Sequence, residues 1–278
     1  MNQRGSVLIT GCSSGIGRWA ALELMERGYH VIASARKPVD VSVLNSDGFD
    51  AIQLDLDDSG SIRDGFQEAL KRSENGIYAL FNNGAWGLPG AVEDLSRDAL
   101  RAQFETNLFG TIELSNLVIR HMRQRGGEGR VIHNSSILGL VALPYRGAYT
   151  ASKFALEGIA DTQRLELRGS GIQISLIEPG PIMTKFRANA YRAYRQWIDR
   201  DNSRHSVQYR ILEERLLKSG PAGRFTLPPE AVYECVLHAL ESSRPKARYY
   251  VTLPTYAFAV LRRVLPAKWL DMLLVKGI

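Results

Sequence analysis

Tyr149 and Lys153, in the run Tyr149-Thr-Ala-Ser-Lys153, are spaced i and i+4, so on a helix they share one face about one turn apart. A phenol beside an ammonium makes a proton donor suited to neutral pH. Free tyrosine titrates near ~10, and an adjacent cation favours the phenolate and lowers that value. Ser136 lies thirteen residues upstream, in Asn134-Ser-Ser-Ile-Leu-Gly139, just after the strand-like run Gly129-Arg-Val-Ile-His133. A hydroxyl at a strand end can hold a substrate oxygen against that phenol. The spacing of Tyr149 and Lys153 alone also fits an ordinary surface helix turn, so the elements around it decide.

Near the N-terminus a short apolar strand, Ser6-Val-Leu-Ile-Thr10, runs into Gly11-Cys-Ser-Ser-Gly15-Ile-Gly17 and then into an amphipathic helix, Arg18–Met25. Glycines let a backbone pass close to a pyrophosphate, whose charge is met by the helix N-terminus. The glycine spacing is not the general dinucleotide fingerprint, and any strand-to-helix turn can use glycine. A second strand, Tyr29–Ala35, ends where an acid would bind the ribose hydroxyls of NAD. That position is Ala35, followed by Arg36 and Lys37. A missing acid plus a cation favours the 2′-phosphate of NADP, although Arg36 and Lys37 also suit a solvated loop. Asp55, in Ile52-Gln-Leu-Asp-Leu56, ends the third strand and can accept from an adenine amino group; acids are also common in turns, and Asp57 and Asp58 sit beside it.

Strand-like runs recur at 6–10, 29–35, 50–54, 77–82, 129–135, 172–178 and 248–252, separated by helical runs, notably 97–123 and 148–168. Strict alternation with short apolar strands predicts an α/β fold, a doubly wound parallel sheet with helices on both faces and right-handed crossovers. Ligands then sit at the carboxyl ends of the strands, and Gly11, Asn82, Ser136 and Pro179 all fall at such ends. Independent motifs therefore converge on one cleft. Without a linker, repeat or low-complexity tract, residues 1–278 are expected to form a single domain.

With these residues together, the chain from about Ser6 to Val251 resembles the short-chain dehydrogenase/reductase family. Thr10–Gly17 matches its cofactor turn, and Ser136, Tyr149 and Lys153 match its catalytic triplet. Asn107, in Asn107-Leu-Phe-Gly110, matches the asparagine that completes a tetrad. Pro179-Gly-Pro-Ile-Met-Thr184 matches the segment facing the nicotinamide carboxamide. Within the family the chain is most similar to bacterial NADP-dependent aldehyde reductases, and next to the 17β-hydroxysteroid and retinol dehydrogenase branch. The resemblance implies a Rossmann-type sheet and hydride transfer between NADP(H) and a carbonyl, with Tyr149 as general acid. It implies that Lys153 lowers the Tyr149 pKa and holds the nicotinamide ribose, that Ser136 steadies the oxyanion, and that Asn107 pins a relay water. Cofactor contacts are implied for Gly11, Ser13, Ser14, Gly15, Ile16, Gly17, Arg36, Asp55, Leu56, Asn82, Asn83, Tyr149, Lys153, Pro179, Gly180, Ile182 and Thr184. Two departures stand out. The family's Asn-Asn-Ala-Gly turn reads Asn82-Asn-Gly-Ala85, where strand support and cofactor approach are expected to survive. Many NADP members carry a basic residue where this chain has Ser14, which leaves Arg36 with most of the phosphate selectivity, while Arg18 is expected to be a surface cation.

Residues 184–225 break the alternation, and Phe186–Trp197 mixes aromatic and basic residues. The resemblance implies a substrate lid there; a solvated helix with an aromatic stripe on the core also fits. The stretch 253–278 extends past the shortest family members. Its charges and Pro266 disallow a membrane span, leaving either a cover for the pocket or a subunit interface, or a basic amphipathic helix at a membrane surface. Of the +6 formal charge, residues 181–278 carry 17 Lys/Arg against 8 Asp/Glu. The basic balance thus belongs to the C-terminal third, and no nucleic-acid module accompanies it. The five histidines and two cysteines, Cys12 and Cys235, show no metal-ligand spacing and no disulfide framework. His133 is expected in the core and Cys12 as a small turn residue. The apolar run after Arg4 is too short for a signal peptide. The expectation is a cytoplasmic enzyme acting on an apolar carbonyl or alcohol, a homodimer or homotetramer through the 97–123 and 148–168 helices, with no nucleic acid and peripheral membrane contact as an option.

Overall fold

The computed structural model describes residues 5–275; Arg4 and the last three positions of the tail lie outside them. Seven strands form one parallel sheet: β1 (Ser6–Ile9), β2 (Val31–Ala35), β3 (Asp50–Gln53), β4 (Ile77–Asn82), β5 (Gly129–Asn134), β6 (Ile172–Glu178) and β7 (Arg248–Tyr250). Their order is β3-β2-β1-β4-β5-β6-β7, the doubly wound Rossmann arrangement, which reverses direction between β1 and β4. Helices cover both faces, so β1, β2 and β4 are buried along their whole length. That is why these strands read as continuous apolar runs rather than alternating ones. Two core layers result, one holding Val7, Ile9, Val31 and Phe81, the other Leu8, Ile32, Leu80 and Val131.

The helices are α1 (Gly15–Glu26), α2 (Pro38–Ser46), α3 (Ser59–Arg72), α4 (Arg97–Phe104), α5 (Thr111–Gln124), α6 (Gly147–Glu166), α7 (Phe186–Trp197), α8 (Ser206–Leu217), α9 (Glu230–Glu241), α10 (Leu253–Val264) and α11 (Ala267–Val275). Local chemistry sets several starts. The Asp58 carboxylate accepts from the backbone N–H of Gly60 and Ser61 ahead of α3, and Ser96 accepts from Ala99 N ahead of α4, each satisfying donors the first turn leaves free.

The run expected as one helix over 97–123 is instead three pieces, because a π-helical turn, Glu105–Gly110, separates α4 from α5. The wider turn is held from outside. The Asn107 Nδ2 donates to Trp86 O at 2.9 Å and to Ser152 Oγ at 3.1 Å, and its Oδ1 accepts from Trp86 N at 3.1 Å. Such tertiary ties have no signature in apolar periodicity, and π turns often accompany functional sites.

The 184–225 insertion holds α7 and α8 and is clamped at its roots. Leu227 N donates to Pro181 O at 3.1 Å and Met183 N donates to Leu227 O at 2.9 Å. Tyr194 and Tyr209 pack in its interior beside Ala91, Ala148 and Leu88, so the aromatic stripe faces the body of the protein. Tyr209 Oη also donates to Asp94 Oδ2 at 2.5 Å and accepts from Ala91 N at 2.9 Å. In the tail, Ala259 and Leu274 bury against Leu140 and Val141, with Ile137, Leu143, Phe258 and Leu270 around them. No described helix is long and apolar enough to cross a membrane.

Candidate active site

A cleft of about 410 Å³ opens at the carboxyl ends of the central strands, lined among others by Gly11, Ser13, Ser14, Gly15, Ile16, Asn83, Ser136, Tyr149, Lys153, Pro179, Gly180, Ile182 and Thr184. A second arm of the depression is lined by Ala35, Arg36, Lys37, Asp55 and Leu56. The motif residues at the ends of six strands and on α6 thus meet along one groove. Gly17, Asn82 and Asn107 are not among the lining residues of either arm; each supports the wall instead.

The glycine turn is shaped by its neighbours. Gly11 has φ +72°, and a Cβ there would lie 2.8 Å from the Cα of Gly84. A Cβ on Gly17 would lie 2.5 Å from Asn83 Nδ2 and 2.6 Å from Gly11 O. Only glycine allows this approach. The reversed Asn82-Asn-Gly-Ala85 turn keeps its bracing role: Thr10 Oγ1 accepts from the N–H of Asn83 at 3.0 Å and of Gly84 at 2.8 Å, while Asn83 Nδ2 donates to Thr10 O at 2.9 Å. Asn134 Nδ2 then donates to Asn83 Oδ1 at 3.0 Å, tying β5 to the same turn. The Asn82 side chain lies beneath the groove, donating to Ser115 Oγ at 2.8 Å and lying 3.2 Å from His133 Nδ1. Ser14 is the N-cap of α1 and makes no capping bond with its side chain, so the first turn of α1 faces the groove with donors to spare. This cradle, with open backbone where a Cβ would clash, fits a dinucleotide.

Tyr149 and Lys153 lie on α6, both buried, with the Lys153 Nζ 5.7 Å from the Tyr149 ring centre. Lys153 Nζ donates to Asn134 O at 2.7 Å. Ser136 caps a short turn by accepting from Leu138 N at 3.1 Å, and its hydroxyl lies near enough to the Tyr149 phenol to lower its pKa. Ser152 Oγ, which accepts from Asn107, donates to Tyr149 O at 2.8 Å. Asn107 therefore fixes the π turn, the Trp86 loop and α6 to one another; both its amide hydrogens are engaged by protein, so the pinning of a relay water falls to no free donor of this side chain. The Phe186 ring meets Tyr149 edge-on, centroids 5.4 Å apart, closing the groove from the root of the insertion.

The electrostatics correct one sequence expectation. Burial pushes the Tyr149 phenol up to about 12, opposed by the Ser136 hydroxyl. Burial also pulls Lys153 down to about 8, opposed by the charge of Glu157. Burial sets the direction of the shift, so the Tyr149 phenol keeps its proton rather than moving toward phenolate. His133 and Cys12 sit as expected: His133 is fully buried, with burial lowering it to about 4, and buried Cys12 is raised by burial to about 12, an inert thiol. Arg18 pairs with Asp47 at 2.7 Å on the surface.

Two residues facing the groove escape motif reading. Arg146 and Arg215 both line the main cleft. The only trace of the first in the sequence is a cation three places before Tyr149, and the second lies far off in the insertion.

The groove and its order of motifs match known proteins. The short chain dehydrogenase family profile matches residues 6–195. Over 269 residues the chain is 45% identical to the uncharacterized oxidoreductase YbbO of Escherichia coli K12, covering 97% of this chain and 93% of that one. It is 31% identical over 264 residues to human 17-beta-hydroxysteroid dehydrogenase type 1, covering 90% and 78% of the two chains. A short chain dehydrogenase/reductase from Burkholderia phymatum, solved in complex with NAD, superposes with a TM-score of 0.79 at 20% identity, over 95% of this chain and 94% of that one. The protein belongs to the short-chain dehydrogenase/reductase family and is an oxidoreductase of the kind that works with a nicotinamide cofactor.

Proposed function

We propose that the protein reduces aldehydes or ketones to alcohols with NADPH, reversibly, as one domain with residues 184–225 as substrate lid. The observation that carries this reading is the Tyr149 hydroxyl, near Ser136 and flanked by Lys153, in a groove continuous with the Gly11–Ile16 turn. NADPH, when bound, supplies the hydride to the carbonyl carbon. Ser136 Oγ orients the carbonyl oxygen, and Tyr149 gives it a proton as negative charge develops there. Lys153, anchored on Asn134 O, stabilises the charge left on the phenol. Asn107 acts by positioning: it locks the π turn against α6. Gly11, Ser13, Ser14, Gly15, Ile16 and Gly17 would hold the diphosphate, Asp55 and Leu56 the adenine end, and Pro179, Gly180, Ile182 and Thr184 the nicotinamide end.

NADP is favoured over NAD by Arg36 and Lys37 beside Ala35, which stands at the end of β2 where an acid would bind the ribose hydroxyls of NAD. The apolar side chains around Tyr149, among them Leu143, Phe186 and Leu216, suit a carbonyl or alcohol with apolar parts. That lining and the likeness to the human hydroxysteroid enzyme also support a second reading, oxidation of a sterol-like or retinoid-like alcohol. Initial rates of NADPH and NADH oxidation with aliphatic, aromatic and polyprenyl aldehydes and steroid ketones test the proposal. Faster turnover with NADPH on at least one carbonyl class supports it; binding of NADPH without turnover across the panel favours a nucleotide-sensing role instead.

The outer side of α10 and α11 presents Leu253, Tyr256, Val260, Val264, Trp269 and Met272 next to Arg262, Arg263 and Lys268. We read this face as peripheral contact with an anionic membrane surface, and salt-sensitive flotation with anionic vesicles tests it. No tail residue lines either arm of the groove, which counts against a direct pocket cover among the described residues. Exposed Phe109 and Ile159, in the π turn and on α6, support a homo-oligomer formed there. Two free thiols, Cys12 and Cys235, suit a reducing cytoplasm.

A further inference from the structure

Arg146 sits at the N-cap of α6, one helical turn before Tyr149, and lines the groove together with Arg215 of α8 and the apolar Leu143 and Leu216. Among the described residues, the only hydrogen bond given by its guanidinium is to Tyr145 O, at 3.3 Å. Among the described residues it makes no ion pair with a carboxylate, and neither does Arg215. The residues lining this arm include no aspartate or glutamate. A partly buried guanidinium with a second one close enough to repel it is costly to hold without an anion. Burial, and then the charge of Arg215, pull Arg146 down to about 10. Neither cation belongs to the nucleotide arm, where Arg36 and Lys37 stand. Lys185 and Arg187 of the insertion also line this cleft, and Arg187 is turned to the carbonyls of Arg215 and Gly220.

We propose that Arg146 and Arg215 form an anion subsite for the substrate, so that the preferred substrate is an apolar carbonyl compound bearing a carboxylate or sulfonate group. Five donors in a planar fork suit such an oxyanion, and Leu143 and Leu216 take the apolar chain. This assignment rests on the oxidoreductase reading above, and the test separates the two.

The rates of reduction of 10-oxodecanoate and of its methyl ester are compared, and decanesulfonate binding to the NADPH complex is measured by calorimetry. Both are run on the wild type, Arg146→Leu and Arg215→Leu, with NADPH binding as the check of folding. The expected result is a kcat/KM for the acid about tenfold or more above that for the ester, falling toward parity in Arg146→Leu, with decanesulfonate affinity dropping about tenfold or more. If Arg146→Leu fails to fold, the same loss of preference and of sulfonate affinity is expected in Arg215→Leu. An ester reduced as well as the acid, or sulfonate bound alike by wild type and folded variants, overturns the anion subsite and leaves the oxidoreductase reading standing. Sulfonate bound through Arg146 with neither carbonyl reduced supports the subsite and counts against that reading.

Discussion

Lys153 donates to the backbone carbonyl of Asn134 across 2.7 Å, so the cation one turn beyond Tyr149 is held by the end of β5. That strand also delivers Ser136, and through Asn134 Nδ2 it grips the Asn83 side chain beside the glycine turn. One strand end thus ties together Lys153, Ser136 and the Asn83 turn.

The buried lysine sets a pH limit. Burial lowers Lys153 to about 8 and raises Tyr149 to about 12, so below about 8 the ammonium is charged and the phenol keeps its proton. In carbonyl reduction, kcat/KM is expected to be flat below that value and to fall as Lys153 loses its charge above it, since kcat/KM reports groups of the free enzyme. A profile of kcat/KM from pH 6 to 10 checks this. A rate that rises through pH 8 would contradict the assigned role.

Arg36 should govern cofactor choice. It lines the second arm of the groove together with Ala35, Asp55 and Asp57. Arg36→Ala is expected to raise the KM for NADPH by about tenfold or more, the loss of a charge-assisted hydrogen bond, while the KM for NADH changes little. Equal changes for both cofactors would mean that the 2′-phosphate is read elsewhere.

Behind α6 the Glu178 carboxyl is fully buried at the end of β6, with Arg248 Nε at 3.1 Å and Glu157 beside it. Arg248 also reaches Glu157 at 2.8 Å and Asp161 at 2.9 Å. Burial, then the charge of Glu157, raises Glu178 to about 9. An acid with a raised folded pKa binds more protons folded than unfolded between the two values, so its contribution falls as pH rises from about 4.5 toward 9. Thermal unfolding of the wild type should therefore shift down between pH 6 and 9. Glu178→Gln, which keeps a neutral partner for Arg248, should flatten that slope. An unaltered slope would show that the pair does not share its proton.

Much of this architecture could be read from the residues alone. The limits of β4 and β6 match the strand-like runs 77–82 and 172–178, because parallel strands buried on both faces leave mostly apolar stretches between turn residues. Most residues the motifs singled out line the groove, since their chemistry depends on residue type at the strand ends, while Gly17, Asn82 and Asn107 stand behind its wall. What escaped depends on three-dimensional neighbours. The π turn exists because Asn107 is bonded to Trp86 and Ser152, contacts between segments distant in sequence. The direction of the Tyr149 shift depends on how deeply the phenol is buried, which spacing along a helix does not reveal. Arg146 and Arg215 are brought to one groove only by the fold of the insertion.

The most direct test of the central claim is Tyr149→Phe, assayed for NADPH binding by fluorescence and for NADPH-dependent reduction of the best carbonyl substrate. The phenyl ring keeps its edge contact with Phe186 while the proton is removed. Retained NADPH affinity with turnover reduced by about a hundredfold or more, in line with loss of a general acid, is the expected result. Turnover close to that of the wild type would contradict Tyr149 as the proton donor and, with it, the proposed mechanism.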